Sequence, residues 1–220
     1  VAQITKVGST LEVGAGDNEN IEFAITAGDF PADTVMIAAI GYRHPGTLEL
    51  PLPQSSLGGA GGWQFASITN NNNGPGSAAT GNHSLLSIYF KVSTGAAETV
   101  TFLTGNGTGG ISVQDSSAGL IVAYSGVLTS APIDANSAFL TGSSDILTAP
   151  SITPANPDTM PLRFFTQEQC SGADCTDPTK YLVPSTGIGT KLGHATGATS
   201  NIVVTAASST GAQQGVGVTE

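Results

Sequence analysis

Two cysteines are the sharpest chemical feature of the sequence, because Cys170 and Cys175 flank the short turn-like run Ser-Gly-Ala-Asp. Thiols this close together around a glycine can reach the short Cα separation that a disulfide demands. Metal binding is the alternative. A metal ion held by two sulfurs needs two more ligands, and no other Cys or His lies nearby in the sequence. We therefore predict a disulfide that closes a loop tip, with two free thiols as the remaining alternative.

The residues that serve elsewhere as nucleophile, base or phosphate cradle lack the neighbours that would activate them. The histidines, His44, His83 and His194, lie among glycine, proline and small polar residues. No Gly-x-Ser-x-Gly segment occurs, and the glycine-rich run 105–110 is not followed by Lys-Ser/Thr. We predict no catalytic residue, no metal site, no cofactor and no enzymatic activity. A glycoside hydrolase or lyase is the weakest alternative, since two of the sixteen acidic residues would be enough for it.

Three aromatic residues could contact a ligand by stacking: Trp63, Tyr42 and Tyr181. A sugar ring packs well on such a platform, which would make a glycan the partner. A single tryptophan at the start of a strand is more often an anchor in the core or at its rim, because a large ring buries much area in a thin sandwich.

The stretch from Ser84 to Val127 organises the rest of the chain and contains three strands. In the first, apolar and polar residues alternate, which predicts a half-buried strand with one face toward the core. The apolar face is Leu86, Ile88, Phe90 and Val92, and the polar face is Ser87, Tyr89 and Lys91. The strand near 118–124 and an earlier one near 34–42 are apolar on both faces, so both should lie in the middle of a sheet, covered on each side.

Composition favours strands over helices. Charged residues make up only 10% of the chain and 29 residues are glycine, so the Glu and Lys pairs that stabilise surface helices are almost absent. From Arg43 to Gly62, prolines and glycines interrupt any strand and predict a loop or an edge. We predict one domain over residues 1–220, an all-β, antiparallel, two-sheet β-sandwich of jelly-roll type with roughly ten strands and little or no helix.

The net charge of −10 excludes two classes of partner. The six Lys and Arg residues are scattered, whereas phosphate neutralisation needs clustered cations, so we predict no nucleic acid and no membrane as partners. No apolar run approaches the ~20 residues that span a bilayer, and the first residues lack the pattern of a secretory signal. We expect either that a signal was removed or that the chain leaves the cytosol by lysis.

Several strand segments resemble a family of β-sandwich domains found in bacteriophage structural proteins and in large secreted bacterial proteins. The resemblance rests on a Gly-Trp strand start, an aromatic strand ending in Lys-Val, a Thr/Phe strand and an Ile-Val-Ala-Tyr strand that leads to Pro-Ile-Asp. In this sequence these are Gly62-Trp63, residues 89–92, residues 100–102, residues 119–127 and Pro132-Ile133-Asp134.

The resemblance implies a non-enzymatic virion structural protein, namely a phage capsid decoration or cement protein on the particle surface. Its partners would be the major capsid or other virion proteins, and the chain would form a homo-oligomer. The alternatives are a head- or tail-fibre component and a secreted carbohydrate-binding or adhesion module. A disulfide would fit a virion-surface or extracellular location.

Overall fold

The computed structural model describes the backbone of residues 4–15, 20–44, 51–70, 83–104, 117–136, 140–142, 146–148, 160–170, 181–184, 189–196, 203–205 and 210–218. Side chains are described within 4–14, 20–41, 51–66, 86–104 and 117–134, and at Met160, Leu162 and Phe164. Every regular element in these ranges is a strand and none is a helix, which confirms the predicted all-β class.

Sixteen strands occur in the described part of the chain, against the roughly ten predicted, because the last third contributes several short ones. In chain order they are β1 Thr5–Ala15, β2 Ile21–Ile25, β3 Val35–His44, β4 Pro53–Ser55, β5 Gln64–Asn70, β6 His83–Val92, β7 Glu98–Phe102, β8 Ser117–Ser125, β9 Ile133–Asn136, β10 Leu140–Gly142, β11 Ile146–Thr148, β12 Met160–Cys170, β13 Tyr181–Pro184, β14 Gly189–Thr196, β15 Val203–Thr205 and β16 Thr210–Val218.

Two antiparallel sheets form the predicted sandwich. One has the order β1-β8-β3-β6-β5 and the other has the order β2-β7-β4. From β1 to β8 the chain crosses between the sheets at every step except from β5 to β6, which pair directly. This exchange of strands between two sheets is the jelly-roll arrangement. It places β4 and β5, the end strands of their sheets, on the same side of the sandwich.

The space between these two sheets holds the first hydrophobic core. In β2, Ile21, Phe23 and Ile25 are buried while Glu22 and Ala24 are exposed, which is the period of a strand with one face toward a core. Side chains from both sheets complete this core, and each fully buried large side chain contributes about 1.5–3 kcal/mol. They include Met36, Ala38, Ile40, Trp63, Tyr89, Val100, Phe102, Ile121 and Ala123.

A second core covers the opposite face of the five-stranded sheet. A third sheet with the order β10-β16-β12-β14-β13 lies there, and β9 also pairs with β16. From β12, Leu162 and Phe164 are fully buried against residues of β3, β6 and β8. The prediction that β3 and β8 are central strands is therefore confirmed, since each is flanked by two strands in its sheet and contributes to both cores.

The prediction for β6 is wrong in one respect. Its polar face was expected at the surface of a half-buried strand, yet Ser87, Tyr89 and Lys91 are all buried, with 0%, 2% and 4% of their surface exposed. The reason is that the three-stranded sheet covers this face and supplies polar partners for it. The alternation of apolar and polar residues correctly indicated that the two faces of β6 differ. It did not indicate that protein covers both of them.

One glycine fixes how the turn at residues 26–29 packs on β1. Gly8 has φ +67°, and a Cβ atom there would lie 2.2 Å from the backbone oxygen of Asp29. The turn cannot easily withdraw, because the amide of Thr26 donates to Asp29 Oδ2 at 2.7 Å and the amide of Asp29 donates to the oxygen of Thr26 at 3.2 Å.

We expect Gly8→Ala to be more destabilising than Gly28→Ala, measured as the free energy of unfolding in urea. Both glycines have positive φ, so both variants carry about 1–2 kcal/mol of left-handed strain. Only Gly8 adds a steric clash, worth about a further 1–3 kcal/mol, because no atom lies within 4 Å of a Cβ at Gly28. Equal losses for the two variants would contradict the close approach of Asp29.

Candidate functional site

A buried ion pair joins the two sheets of the sandwich near the side formed by β4 and β5. Lys91, close to the end of β6, donates from Nζ to Oε2 of Glu98, the first residue of β7, at 2.6 Å. The two side chains are only 5% and 3% exposed. Because charges removed from water are stable only when paired and hydrogen-bonded, each of these groups requires the other.

The second oxygen of the same carboxylate receives two further donors. Ser55 Oγ, at the end of β4, donates to Glu98 Oε1 at 2.5 Å, and the indole Nε1 of Trp63 donates to it at 3.3 Å. We call these four residues, Lys91, Glu98, Ser55 and Trp63, the Glu98 cluster. Both carboxylate oxygens accept hydrogen bonds from the protein itself, so this arrangement acts as a structural brace between the two sheets.

The Glu98 cluster anchors the loop that joins β4 to β5. Gly61 has φ +61°, and a Cβ atom there would lie 2.3 Å from Ser55 Cβ and 2.7 Å from Glu98 Oε1, so only glycine lets the chain close over the carboxylate. Backbone bonds hold the rest of the loop: Ser55 N to Gly59 O, Gly58 N to Ser55 O, Gly61 N to Gly58 O and Trp63 N to Ala60 O. These bonds hold the loop from Ser55 to Trp63 despite its glycines.

Aromatic rings pack beneath this loop around Phe102. The ring of Phe102 makes edge contacts with Phe23 at 6.2 Å and with Trp63 at 5.8 Å between centroids, and a tilted contact with Tyr89 at 5.0 Å. Trp63 is only 4% exposed. Its burial supports the interpretation as a core anchor and leaves no ring face on which a sugar could stack.

Tyr89 links the core to the surface at this side. Its hydroxyl donates to the backbone oxygen of Pro51 at 2.6 Å, and its ring contacts that of Phe65, the second residue of β5, at 5.8 Å. Burial raises the pKa of Tyr89 above the ordinary value for tyrosine, because the charged phenolate is poorly solvated there. The pKa of Tyr124 is raised for the same reason.

The raised pKa values predict a loss of stability at alkaline pH. Tyrosines in the unfolded chain ionise near pH 10, so these two groups contribute their full stability below about pH 10 and lose it as the pH rises toward their folded pKa values. We expect Tyr89→Phe to be about 1 kcal/mol less stable at neutral pH, because it loses a hydrogen bond, and its deficit relative to the native protein to shrink above pH 10. A deficit that stays constant with pH would contradict the burial of the hydroxyl.

Three of the four large hydrophobic residues that are exposed in the described part of the chain lie on the β4 and β5 side. Leu52 is 51%, Leu57 51% and Phe65 45% exposed, and the fourth, Leu128, follows β8. Leu52 follows Pro51, the partner of Tyr89, while the amide of Leu57 donates to Ser55 Oγ at 3.1 Å. We call Leu52, Leu57 and Phe65 the apolar edge. Each of the three is linked to the interior. Leu52 adjoins the residue that accepts from Tyr89, Leu57 is bonded to Ser55, and Phe65 contacts the ring of Tyr89.

The other residues predicted for a site remain untested. Tyr42 lies in β3 with its backbone opposite Leu85 and Ser117, and Tyr181 begins β13 opposite Gly193, but their side chains are outside the described set. Cys170 ends β12, and Cys175 lies outside the described residues. The disulfide therefore stays a prediction.

The described residues contain neither a candidate metal centre nor a membrane-spanning helix. Within those ranges, no three His, Cys, Asp or Glu side chains lie close enough together to share a metal ion. The same ranges contain no helix with the length and apolar character needed to cross a bilayer.

Comparison with known proteins adds no family to this fold. No family model, curated protein or solved structure matches the chain. The likeness of its strand segments to phage and secreted β-sandwich domains therefore stays a prediction from the sequence. The features of the described residues that bear on function are the apolar edge and the Glu98 cluster beneath it.

Reasoning from the sequence missed the Glu98 cluster. Its signals were present: Lys91 is the single cation of an otherwise uncharged strand, and Glu98 stands immediately before the apolar alternation of β7. A charge placed within a core strand suggests a buried partner. Which acidic residue serves as that partner depends on how the two sheets face each other, and a sequence does not contain that information.

Proposed function

We propose that this chain is a non-enzymatic structural protein of a virion, specifically a decoration or cement protein on the outer surface of a phage capsid. One observation carries the proposal: a hydrogen-bonded scaffold holds an apolar edge at the surface, while both oxygens of the buried carboxylate beneath it accept bonds from protein donors. Such an arrangement suits assembly with protein surfaces, those of further copies of the chain included, better than turnover of a substrate. The resemblance of the strand segments to phage structural proteins supports the same assignment.

The same features support the proposed location on the surface of the particle. A cement protein has to bind by shape and apolar contact at sites repeated over a particle, and it does not need a charged recognition surface. The low proportion of charged residues fits that requirement, and so does a sandwich whose central sheet is enclosed on both faces. The partner on the particle would be the major capsid protein or a neighbouring virion protein.

Mass spectrometry of purified particles tests this proposal directly. We expect the chain in copies stoichiometric with the major capsid protein, and we expect particles stripped of it to open at a lower temperature or after a milder osmotic shock than intact ones. Adding back the purified chain should restore the original opening temperature. Absence of the chain from purified particles would overturn the proposal, and unchanged particle stability after stripping would remove the cement role.

The alternatives differ in measurable ways. A head- or tail-fibre component would be present in a few copies per particle, so stoichiometry separates it from a decoration protein. A carbohydrate-binding module would bind specific sugars on a glycan array. The burial of Trp63 removes one of the three platforms proposed for that role.

A further inference from the structure

Among the described strands, both sheets end at the side of the sandwich that carries the apolar edge. In the described part of the chain, β4 is the last strand of the three-stranded sheet and β5 is the last strand of the five-stranded sheet. β4 has three residues and β5 has seven. Phe65 lies opposite Tyr89 on the face toward the three-stranded sheet, and it stays 45% exposed at the end of that sheet.

The charge distribution indicates what can approach this side. The chain has a net charge of −10, so two copies repel one another over most of their surfaces. Between Glu49 and Lys91, however, the sequence contains no Asp, Glu, Lys or Arg. This interval includes β4, the loop and β5, and the one cation at its end, Lys91, is neutralised by Glu98 inside the protein. An approach of two acidic copies on this side therefore brings no like charges from this interval together.

The apolar edge is also preorganised for binding. The hydrogen bonds of the loop fix the backbone around Leu57, and the contact with Tyr89 positions the ring of Phe65. Side chains that are already ordered lose little conformational entropy on association, so more of the contact energy appears as affinity. An uncharged apolar surface is also complementary to itself, which is the requirement for an interface between identical surfaces related by a two-fold axis.

We propose that the apolar edge is the interface at which a second copy of this chain docks, so that Leu52, Leu57 and Phe65 of each copy pack together across a two-fold axis. This inference deepens the assembly role proposed above and rests on it. It concerns contact between copies, and the contact with the capsid then uses a different surface.

Sedimentation of the purified full-length chain over a range of concentrations tests the inference. We expect a reversible monomer–dimer equilibrium that shifts toward the dimer as ionic strength rises. The reason is that salt screens the repulsion between two acidic copies and leaves the apolar contact intact. A dimer that dissociates on adding salt would contradict an apolar, uncharged interface.

Matched variants locate the interface. Leu57→Asp and Leu128→Asp introduce the same charge in place of the same residue, at positions that are 51% and 48% exposed. We expect Leu57→Asp, and likewise Phe65→Asp, to weaken dimerisation at least about 30-fold, as the loss of a central contact does, and Leu128→Asp to change it less than about threefold. All three should keep the circular dichroism and unfolding midpoint of the native protein, because the replaced side chains are half exposed.

Each other outcome has a definite meaning. A chain that remains monomeric at every concentration, or equal weakening by Leu57→Asp and Leu128→Asp, would overturn the inference. So would a monomeric chain whose binding to particles is lost in Leu57→Asp, since the apolar edge would then face a different protein. A dimer with the expected variant pattern, found in a chain that is absent from particles, would overturn the virion proposal and leave the interface standing.

Discussion

Replacing Glu98 with alanine is expected to lower the free energy of unfolding by about 3–5 kcal/mol, the typical cost of leaving one member of a buried ion pair without its partner. The ammonium group of Lys91, whose side chain is 5% exposed, would lose the carboxylate that it contacts at 2.6 Å, and Ser55 and Trp63 would lose their acceptor as well. Urea denaturation measures the loss directly.

Glu22→Ala is the matched control for this variant. Glu22 is also a strand glutamate of the three-stranded sheet, but it is exposed and accepts a bond from Thr101 Oγ1 at 3.2 Å. Exposed charge interactions contribute about 0–1 kcal/mol, so this variant should lie within about 1 kcal/mol of the native protein. A loss for Glu98→Ala no larger than that of Glu22→Ala would contradict the buried pair.

A double variant separates the loss of charge pairing from the loss of hydrogen bonds. Glu98→Gln keeps an oxygen that can accept from Ser55 and Trp63, but it leaves the ammonium of Lys91 buried beside a neutral amide. Adding Lys91→Met removes that buried charge, so the double variant should be about 1–3 kcal/mol more stable than Glu98→Gln alone. If the second substitution destabilises the protein further, Lys91 is not held as a buried cation.

Strand positions were predictable wherever a single local pattern decided them. β2 and β7 alternate cleanly, and β3 and β8 are continuous apolar runs, so the sequence indicates both their existence and which of them are central. β4 was predicted only as loop or edge. Its three residues carry no hydrophobic pattern, and it becomes a strand because its backbone pairs with β7. Pairing with a distant strand is not visible in a local window.

The candidate site was predictable only in part, for a related reason. Trp63 was singled out because it is the only tryptophan, and its core-anchor interpretation fits its burial. Ser55, Glu98 and Lys91 belong to three different strands, and nothing in their separate surroundings links them. Phe65 is an apolar residue in a strand, which by itself favours burial. It is exposed although it lies on the inward face, because β5 is an end strand of the larger sheet.

Phe102→Ala is expected to cost about 3–5 kcal/mol in the free energy of unfolding, the range measured when large rings are removed from well-packed cores. The ring is fully buried and contacts Phe23 of the smaller sheet, Tyr89 of the larger sheet and Trp63 just before β5. Neighbours held by hydrogen bonds to Glu98 and Pro51 cannot collapse far into the space it leaves.

Phe65→Ala provides the matched control, because the same ring is removed at a position that is 45% exposed and has one aromatic contact, with Tyr89. Its cost in urea should be about 1 kcal/mol or less, the range for substitutions away from the core. In sedimentation the order should reverse: Phe65→Ala weakens dimerisation, while the folded fraction of Phe102→Ala still dimerises if the edge keeps its shape. Of the two phenylalanines that contact Tyr89, Phe102 would thus contribute mainly to stability and Phe65 mainly to dimerisation. Comparable losses of stability in the two variants would place Phe65 in the core and remove it from the interface.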